Sequence, residues 1–320
     1  MDIKPYLPGN KEASEAFEYG WAFMERYKDY LNAQPRFGEA IYLVPDFALA
    51  YHCHGVCLAH LGEGERALAD LKRSRELGLD WPEYYYGLGV ALAALNENEA
   101  ALKNFGAITK IKPELADTYK ERADLYLKLG DEDKALCDYS KAIERNVFQL
   151  GYCHYQRALI YIARDELERA LADLNEARIL DTKDWKILFH RGHCNYKLNR
   201  LEKAAEDYRN VLYYNPTFAD AYYCLGNTLY EMQDLEGAIR NHTQVVIKEP
   251  QAFEGHFARG LAYLTKGDFA FAINDFLNAI SINPEDSEAH YLLSEAYAGS
   301  GEEEAAQASL LKAKELGFEP

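Results

Sequence analysis

The sequence predicts an all-α solenoid of antiparallel helix pairs, because one residue pattern recurs along nearly all of its 320 residues. Alanine returns every 34 residues, with a single interval of 35, and small and large apolar residues return with it. A fixed period of roughly 20 to 50 residues is typical of solenoids, in which each repeat packs only against its neighbours. The recurring alanines are Ala33, Ala67, Ala101, Ala135, Ala170, Ala204, Ala238, Ala272 and Ala306.

Position 8 of each repeat, counted with the alanine as position 20, is small in eight of the nine repeats. We expect the two helices of a pair to cross there, because closely packed backbones leave no room for a larger side chain. The small residues are Gly55, Gly89, Ala123, Ala158, Gly192, Gly226, Gly260 and Ser294.

Position 24 is large and mostly apolar, and we expect it to fill the space beside position 8. Its residues are Phe37, Leu71, Phe105, Tyr139, Leu174, Tyr208, His242, Phe276 and Leu310. Position 32 is proline in five repeats, where its ring and missing N–H are expected to end the second helix. These prolines are Pro45, Pro113, Pro216, Pro250 and Pro284.

Leu88-Gly89 and Leu225-Gly226, with tyrosine at position 11 in four repeats, complete a pattern that resembles the tetratricopeptide repeat. Those tyrosines are Tyr126, Tyr161, Tyr263 and Tyr297. The resemblance implies a right-handed superhelix of helix pairs, each 34 residues long. With residues 1–13 as an N-terminal extension and Leu150 as an extra residue, the repeats are predicted at 14–47, 48–81, 82–115, 116–149, 151–184, 185–218, 219–252, 253–286 and 287–320.

The first and last repeats depart from the pattern, as terminal repeats of a solenoid are expected to do. In repeat 14–47, Trp21 replaces the small residue, and Pro35 is expected to restart the second helix. This repeat is therefore predicted to be a degenerate cap. The final helix of repeat 287–320 is unusually polar, and the unbroken period predicts one solenoid without an internal linker.

The formal net charge of −17 disfavours nucleic acid as a partner, since nucleic-acid binders present a basic stripe. Residues 1–10 lack the apolar stretch of a signal peptide or membrane span, which predicts a soluble, cytoplasmic protein without membrane insertion. The six cysteines are scattered and do not form a disulfide framework, so reduced thiols are expected.

The resemblance implies that the first helices of the pairs line a concave groove that binds a peptide. Aromatic residues dominate position 5 in the second half of the chain, and such side chains are frequent in binding hot spots. The alternative is that they pack only against each other and the next helix. The predicted groove residues are Tyr86, Lys120, Tyr152, Tyr155, Lys186, Phe189, His190, His193, Tyr196, Tyr223, Asn227, Tyr230, Phe257 and Tyr291.

Most charged residues predicted for this groove are acidic. An aromatic floor with an acidic rim favours a basic peptide with apolar anchors, although a solvated acidic surface is the alternative. The acidic residues are Glu15, Glu18, Glu25, Glu83, Asp117, Glu121, Asp124, Asp220, Glu231, Glu254, Glu288 and Glu295.

A second hypothesis from the resemblance is the carboxylate clamp of tetratricopeptide co-chaperones, which holds a C-terminal carboxylate with lysine, arginine and asparagine. Three successive repeats offer Lys120, Asp124, Gln156, Lys186 and His190 at the clamp positions. Only the two lysines match, and Asp124 would place a negative charge beside the ligand.

Histidine and cysteine cluster at His52, Cys53, His54, Cys57 and His60. A pair spaced by four residues can bind zinc, but a closed zinc site needs four ligands, and buried cysteine is common. We therefore predict no metal and no cofactor, and leave open what this cluster does.

His190 and His193 are a separate case. They could bind a ligand carboxylate or make binding depend on pH, or they could simply pack in the groove.

The chain has no phosphate-binding loop, dinucleotide fingerprint, nucleophile elbow or zinc-protease motif. The sequence therefore predicts a non-catalytic scaffold or adaptor that binds a protein or peptide segment. The alternative is an assembly factor that uses terminal repeats or the convex face, and the sequence leaves self-association open.

Overall fold

The computed structural model describes residues 3–319, and within them the chain is α-helical without β-strands. A short 3-10 helix, Lys4–Tyr6, comes first. The predicted all-α class is confirmed. Eighteen α-helices follow in the described residues: α1 (Lys11–Tyr27), α2 (Tyr30–Leu43), α3 (Ala48–His60), α4 (Gly64–Glu76), α5 (Tyr84–Ala94), α6 (Asn98–Ile111), α7 (Ala116–Lys128), α8 (Glu132–Glu144), α9 (Leu150–Ala163), α10 (Leu167–Leu180), α11 (Trp185–Lys197), α12 (Leu201–Tyr214), α13 (Ala219–Glu231), α14 (Leu235–Lys248), α15 (Phe253–Lys266), α16 (Phe269–Ile282), α17 (Ser287–Ser300) and α18 (Glu303–Glu315).

The chain forms two compact units, one up to Cys153 and one from His154 onward. In the first unit, α1 packs on α2, α3 on α4, α5 on α6 and α7 on α8. In the second unit, α11, α13, α15 and α17 each pack on the helix that follows. Short turns join the helices of each pair, so they run antiparallel, as predicted.

The first helices of successive pairs also contact one another. These contacts join α1 to α3, α3 to α5 and α5 to α7 in the first unit, and α11 to α13, α13 to α15 and α15 to α17 in the second. The odd-numbered helices of each unit therefore share one surface.

The close approach predicted at position 8 is confirmed by the packing of its glycines. A Cβ added to Gly89 would lie 2.5 Å from the ring of Phe105, and one added to Gly226 would lie 2.4 Å from the ring of His242. Such distances are too short for any side chain. The position-20 alanines are fully buried in the first eight pairs and half-buried at Ala306.

All second helices but one end in one of two ways. Where position 32 is proline, the helix ends before the proline, as predicted; α6, for example, ends at Ile111 and Pro113 follows its C-cap. In three of the four pairs without this proline, a residue with positive φ at position 31 ends the helix in a Schellman turn. These residues are Gly78, Asn146 and Gly317. The fourth, α10, ends at Leu180 with Asp181 in an extended conformation as its C-cap.

The turn inside every helix pair contains a residue with positive φ at position 15. Glycine takes this conformation without strain, but five of the nine residues are not glycine. The nine are Lys28, Gly62, Asn96, Gly130, Asp165, Asn199, Gln233, Gly267 and Gly301.

The prediction that a helix restarts at Pro35 was wrong. Helix α2 begins at Tyr30, because the side chain of Asp29 accepts a hydrogen bond from the backbone N–H of Asn32 and caps it. Pro35 lies inside the helix and deprives only the carbonyl of Leu31 of a donor. Both residues are exposed, so water can reach that carbonyl.

Buried ion pairs join the two helices of several pairs, a feature that the sequence analysis missed. An arginine at position 7 of the first helix binds an aspartate 16 residues later, at position 23 of the second. The shortest N–O distances are 2.6 Å for Arg122–Asp138, 2.7 Å for Arg157–Asp173, 2.5 Å for Arg191–Asp207 and 2.7 Å for Arg259–Asp275.

Candidate binding surface

The predicted groove residues of the second unit all lie on first helices. Lys186 is exposed, and the others are half-buried. We call the surface that carries them the first-helix face. By helix they are Tyr155 on α9; Lys186, Phe189, His190, His193 and Tyr196 on α11; Tyr223, Asn227 and Tyr230 on α13; Phe257 on α15; and Tyr291 on α17.

Two contacts on this face connect successive first helices. The rings of Tyr155 and His190 lie 5.8 Å apart, which joins α9 to α11. The hydroxyl of Tyr230 lies 2.8 Å from that of Thr265, which joins α13 to α15. With the packing of α11 on α13 and of α15 on α17, these contacts connect the face from α9 to α17.

The inner sides of several rings belong to the core of their own helix pair. Phe189 lies 5.9 Å from Tyr208, and Tyr223 lies 5.8 Å from His242, each measured between ring centroids. Because these side chains are only half-buried, each ring both packs inward and presents an accessible side. Inward packing and an accessible side are thus combined in the same residues.

Phe257 and Tyr291 continue the face toward the last helix pairs. The ring of Phe257 lies 6.0 Å from that of Phe276, and Tyr291 stacks on Phe318 at 4.3 Å. The hydroxyl of Tyr291 donates a 2.8 Å hydrogen bond to Glu295, so this carboxylate is held beside the aromatic residues.

The charges of the first-helix face are mainly acidic. Of its basic residues, Lys197 lies 3.8 Å from Asp165, and Lys186 is exposed. Such a face attracts cationic groups more strongly than anionic ones. Five carboxylates on its helices are exposed: Asp220, Glu231, Glu254, Glu288 and Glu295.

The two histidines of α11 contribute no positive charge at neutral pH. Burial and the neighbouring His193 lower the pKa of His190. Burial and Lys197 lower the pKa of His193. Both imidazoles therefore act as neutral hydrogen-bonding groups, which does not favour binding of a ligand carboxylate.

The predicted groove residues of the first unit are already engaged with one another. Lys120 donates to Glu121 at 3.2 Å, lies 3.1 Å from Asp124, and sits 5.2 Å from the ring centre of Tyr152. Burial lowers the pKa of Lys120, but the two carboxylates raise it more, and the net shift is upward. Tyr152 in turn donates to Asp124 at 3.1 Å, and Tyr86 lies 3.1 Å from His60.

The pairing of Lys120 bears on the carboxylate clamp. A ligand carboxylate would have to compete with both Glu121 and Asp124 for this ammonium group. Lys120 is therefore less available to an anion than the lysine pattern of the clamp suggests.

His54 and His60 of α3 have separate structural partners. His54 lies 2.5 Å from Asp70 and 2.7 Å from Gln34, and His60 stacks on Tyr30 at 4.0 Å. Burial raises the pKa of the Cys57 thiol to about 12. Among residues 3–319 no group of three or more potential ligands is placed to hold a metal ion, and all six cysteines are unpaired.

The structure also contains a cavity of about 220 Å³ in the first unit that the sequence analysis did not anticipate. Trp21, Tyr30, Trp81 and Tyr86 contribute its aromatic wall. One signal was present in the sequence, since Trp21 replaces the small residue of position 8. The contact between Trp21 and Trp81, which comes from the next helix pair, depends on the fold.

Comparison with protein families identifies repeats in four segments of the chain. A model described as TPR repeat matches residues 192–233. Models described as tetratricopeptide repeat match residues 253–286 and residues 116–146 and 287–316.

Similar curated proteins share part of the chain. Tetratricopeptide repeat protein 12 of Homo sapiens is 30% identical over 102 residues, which are 32% of this chain and 14% of that protein. Serine/threonine-protein phosphatase 5 of Homo sapiens is 33% identical over 106 residues, which are 33% of this chain and 21% of that protein. Each match spans only a small part of the relative.

Solved structures of similar fold cover about half of the chain. YrrB, described as a TPR protein with an unusual peptide-binding site, has a TM-score of 0.51 and 23% identity, and covers 56% of this chain and 92% of its own. MamA from Desulfovibrio magneticus RS-1 has a TM-score of 0.51 and 22% identity, covering 52% and 94%. These likenesses show the fold. Within residues 3–319, no helix combines the length and apolar character required to span a bilayer.

Proposed function

Because this chain is a tetratricopeptide-repeat protein, and so a scaffold for protein–protein interaction, we propose that it is a non-catalytic adaptor that binds an extended segment of a partner polypeptide. The segment lies on the first-helix face of the second unit. It carries apolar anchors and basic side chains.

One observation carries this proposal: half-buried aromatic rings recur on successive first helices, and α13, α15 and α17 carry exposed carboxylates as well. Rings fixed by inward packing offer contact area at low entropic cost. The carboxylates attract Lys and Arg side chains and select against acidic segments. Tyr155, Tyr223 and Phe257 are the proposed anchors, and the exposed Glu231 and Glu254 lie on the same helices as Tyr223 and Phe257.

The repeat bounds and cellular location are part of the same proposal. We propose nine repeats with the bounds derived from the alanine period, corresponding to pairs α1–α2 through α17–α18. Six unpaired thiols fit a reducing compartment, for which we propose the cytoplasm.

A peptide-display selection on three forms of the chain tests the proposal. The wild type is compared with Tyr155→Leu/Tyr223→Leu, which removes two rings but keeps apolar volume, and with Tyr213→Leu as the matched control. Tyr213 is 80% exposed on the second helix α12. Enrichment of basic peptides with aromatic or aliphatic anchors should be lost only in the double variant.

Enrichment that survives in the double variant would contradict the proposed face. Loss in the Tyr213→Leu control alone would move the binding site to the second helices.

A second candidate function rests on an exposed apolar stripe on the second helices of the second unit. Ile179, Tyr213 and Ile247 occupy position 29 of three successive pairs and are 70%, 80% and 64% exposed. Such a row fits the alternative of an assembly factor that associates through its other face. Sedimentation analysis tests it: self-association that Tyr213→Ser abolishes and Tyr155→Leu/Tyr223→Leu leaves intact would favour this role.

A further inference from the structure

The cavity of the first unit is built from two neighbouring helix pairs and the start of the next ones. Trp21 lies on α1 and Trp81 just before α5, and their rings are 6.4 Å apart. The ring of His52, on α3, meets Trp81 edge-on at 5.4 Å. Val56 and Leu115 are among its apolar lining residues, so most of the wall is apolar.

Two buried polar atoms at this cavity have no hydrogen-bond partner among the described residues. They are Nδ1 of His52 and Oε2 of Glu83. His52 is only 4% exposed. The other carboxylate oxygen of Glu83 accepts a hydrogen bond from Lys112. Since buried polar groups are nearly always bonded, two orphaned atoms on residues that line one cavity point to a site that a ligand completes.

The charges around the cavity are complementary to a cation. Its lining contains three carboxylates, those of Glu25, Glu83 and Asp117, and one ammonium group, that of Lys28. Lys28 is bound to Asp117 at 2.7 Å. Lys112, outside the lining, is ion-paired with Glu83, so the three carboxylates exceed these two ammonium groups by one. Glu25 is exposed at the edge, and Glu83 keeps its free oxygen.

The raised pKa of Tyr30, another residue of the cavity lining, agrees with this negative potential. Burial raises the pKa of Tyr30, and Asp117, Glu121 and Glu25 raise it further. Burial lowers the pKa of His52 to about 4, so this imidazole is neutral and does not repel a cation at neutral pH.

We propose that this cavity binds the guanidinium group of an arginine side chain on a partner polypeptide. A guanidinium is flat and weakly hydrated, stacks on aromatic rings, and donates several hydrogen bonds in one plane. Trp21 and Trp81 provide the aromatic surface, while Glu83 Oε2 and Glu25 provide the acceptors. Lysine is a poorer fit, because its compact ammonium group is strongly hydrated.

This inference rests on the proposed function only in assigning the arginine to a bound polypeptide. Its residues belong to the first unit, whereas the proposed anchors belong to the second. The two can therefore fail separately.

Tryptophan fluorescence provides a direct test. The chain has three tryptophans, and two of them line the cavity. In a Trp185→Phe background, all indole emission comes from Trp21 and Trp81. We expect acetyl-arginine-amide, titrated at constant ionic strength, to change this emission saturably. The neutral isostere acetyl-citrulline-amide should not bind, and acetyl-lysine-amide should bind more weakly.

Two variants assign the binding to the cavity. Glu83→Gln removes the charge at the orphaned oxygen and should weaken acetyl-arginine-amide binding about tenfold, because a hydrogen bond to a charged group is lost. Glu97→Gln, which removes an exposed charge outside the cavity lining, should have no effect. Trp21→Leu gives a second test by NMR line broadening of the probe, should Glu83→Gln fail to fold by circular dichroism.

No saturable binding to the wild type would overturn the inference, as would equal binding of the citrulline or lysine probe. Equal weakening by Glu97→Gln would also overturn it, since only general charge would then matter. Binding of the arginine probe should be unchanged in Tyr155→Leu/Tyr223→Leu. If this double variant still binds the arginine probe but no longer binds the selected peptide, the cavity and the first-helix face are separate sites.

Discussion

At the scale of single residues, the turns inside the helix pairs impose a left-handed backbone on side chains that do not prefer it. Gln233, with φ 62°, is the least suited of those in the second unit, since asparagine and aspartate tolerate this region better. The strain is small at one turn but recurs in most pairs.

Replacing Gln233 by glycine should stabilise the chain by about 0.5–1 kcal/mol, because relief of the strain exceeds the added freedom of the unfolded state. Urea denaturation measures this change. Gln233→Ala is the matched control, since it shortens the side chain and keeps the Cβ. Equal stability of the glycine and alanine variants would show that the turn is unstrained.

His242 makes the stability of the second unit depend on pH. Burial, with a smaller effect of Arg259, lowers its pKa to about 4, whereas an unfolded histidine titrates near about 6.5. The unfolded chain therefore takes up a proton in this window while the folded chain does not. The contribution to stability is complete above about pH 6.5 and is lost as the pH falls toward 4.

His242→Phe should remove this part of the pH dependence, which amounts to at most about 3 kcal/mol. Phenylalanine fits the site, since Phe105 and Phe276 occupy the equivalent position opposite a glycine. Unfolding free energies between pH 7 and 4 measure the effect. A variant that loses stability as steeply as the wild type would contradict it.

At the scale of helices, the ion pairs of positions 7 and 23 hold the two helices of a pair together. Asp207 is 1% exposed and is bound by Arg191 and Asn195. Arg191→Met should destabilise the chain by about 3 kcal/mol, because it leaves a buried carboxylate without its counter-charge.

The double variant Arg191→Met/Asp207→Leu should recover most of that loss, because two apolar side chains replace the pair. The pair α13–α14 already has Leu225 and Asn241 at these two positions. Denaturant midpoints of both single variants and the double variant complete the cycle. A double variant as unstable as the sum of the single changes would show that the two residues act independently.

The helices and their turns also show which structural features could be predicted from the sequence. The crossing at Gly89 and Phe105 and the helix end before Pro113 were predicted, because residue size and a missing N–H act locally and recur with the period. The turn at position 15 was not, because Gly130, Asn199 and Gln233 share a backbone conformation but no side-chain chemistry. The Arg–Asp ion pairs were not predicted, because each joins two residues that lie 16 positions apart on different helices.

For the candidate site, the sequence correctly placed the aromatic residues on first helices. The sequence could not show which side of each ring is buried and which is accessible, since this depends on neighbours such as Tyr208 and His242 in the second helices. Lys120 was predicted as a ligand-binding residue, yet it is held by Glu121 and Asp124. The cavity at Trp21 and Trp81 depends on contacts between different pairs, which the period does not encode.

At the scale of the molecule, we propose a separate binding site on each unit. The first unit has an aromatic cavity with carboxylates and buried orphan acceptors, and the second has a row of half-buried rings among exposed carboxylates. Both arrangements agree with the net charge of −17 and with a basic polypeptide as partner.

Calorimetric titration with a peptide selected on the wild type tests the central claim most directly. The first-helix face predicts that Tyr155→Leu/Tyr223→Leu weakens binding by about 2 kcal/mol or more, while Tyr213→Leu changes nothing. Equal affinity of the double variant and the wild type, with both fully folded, would contradict the account.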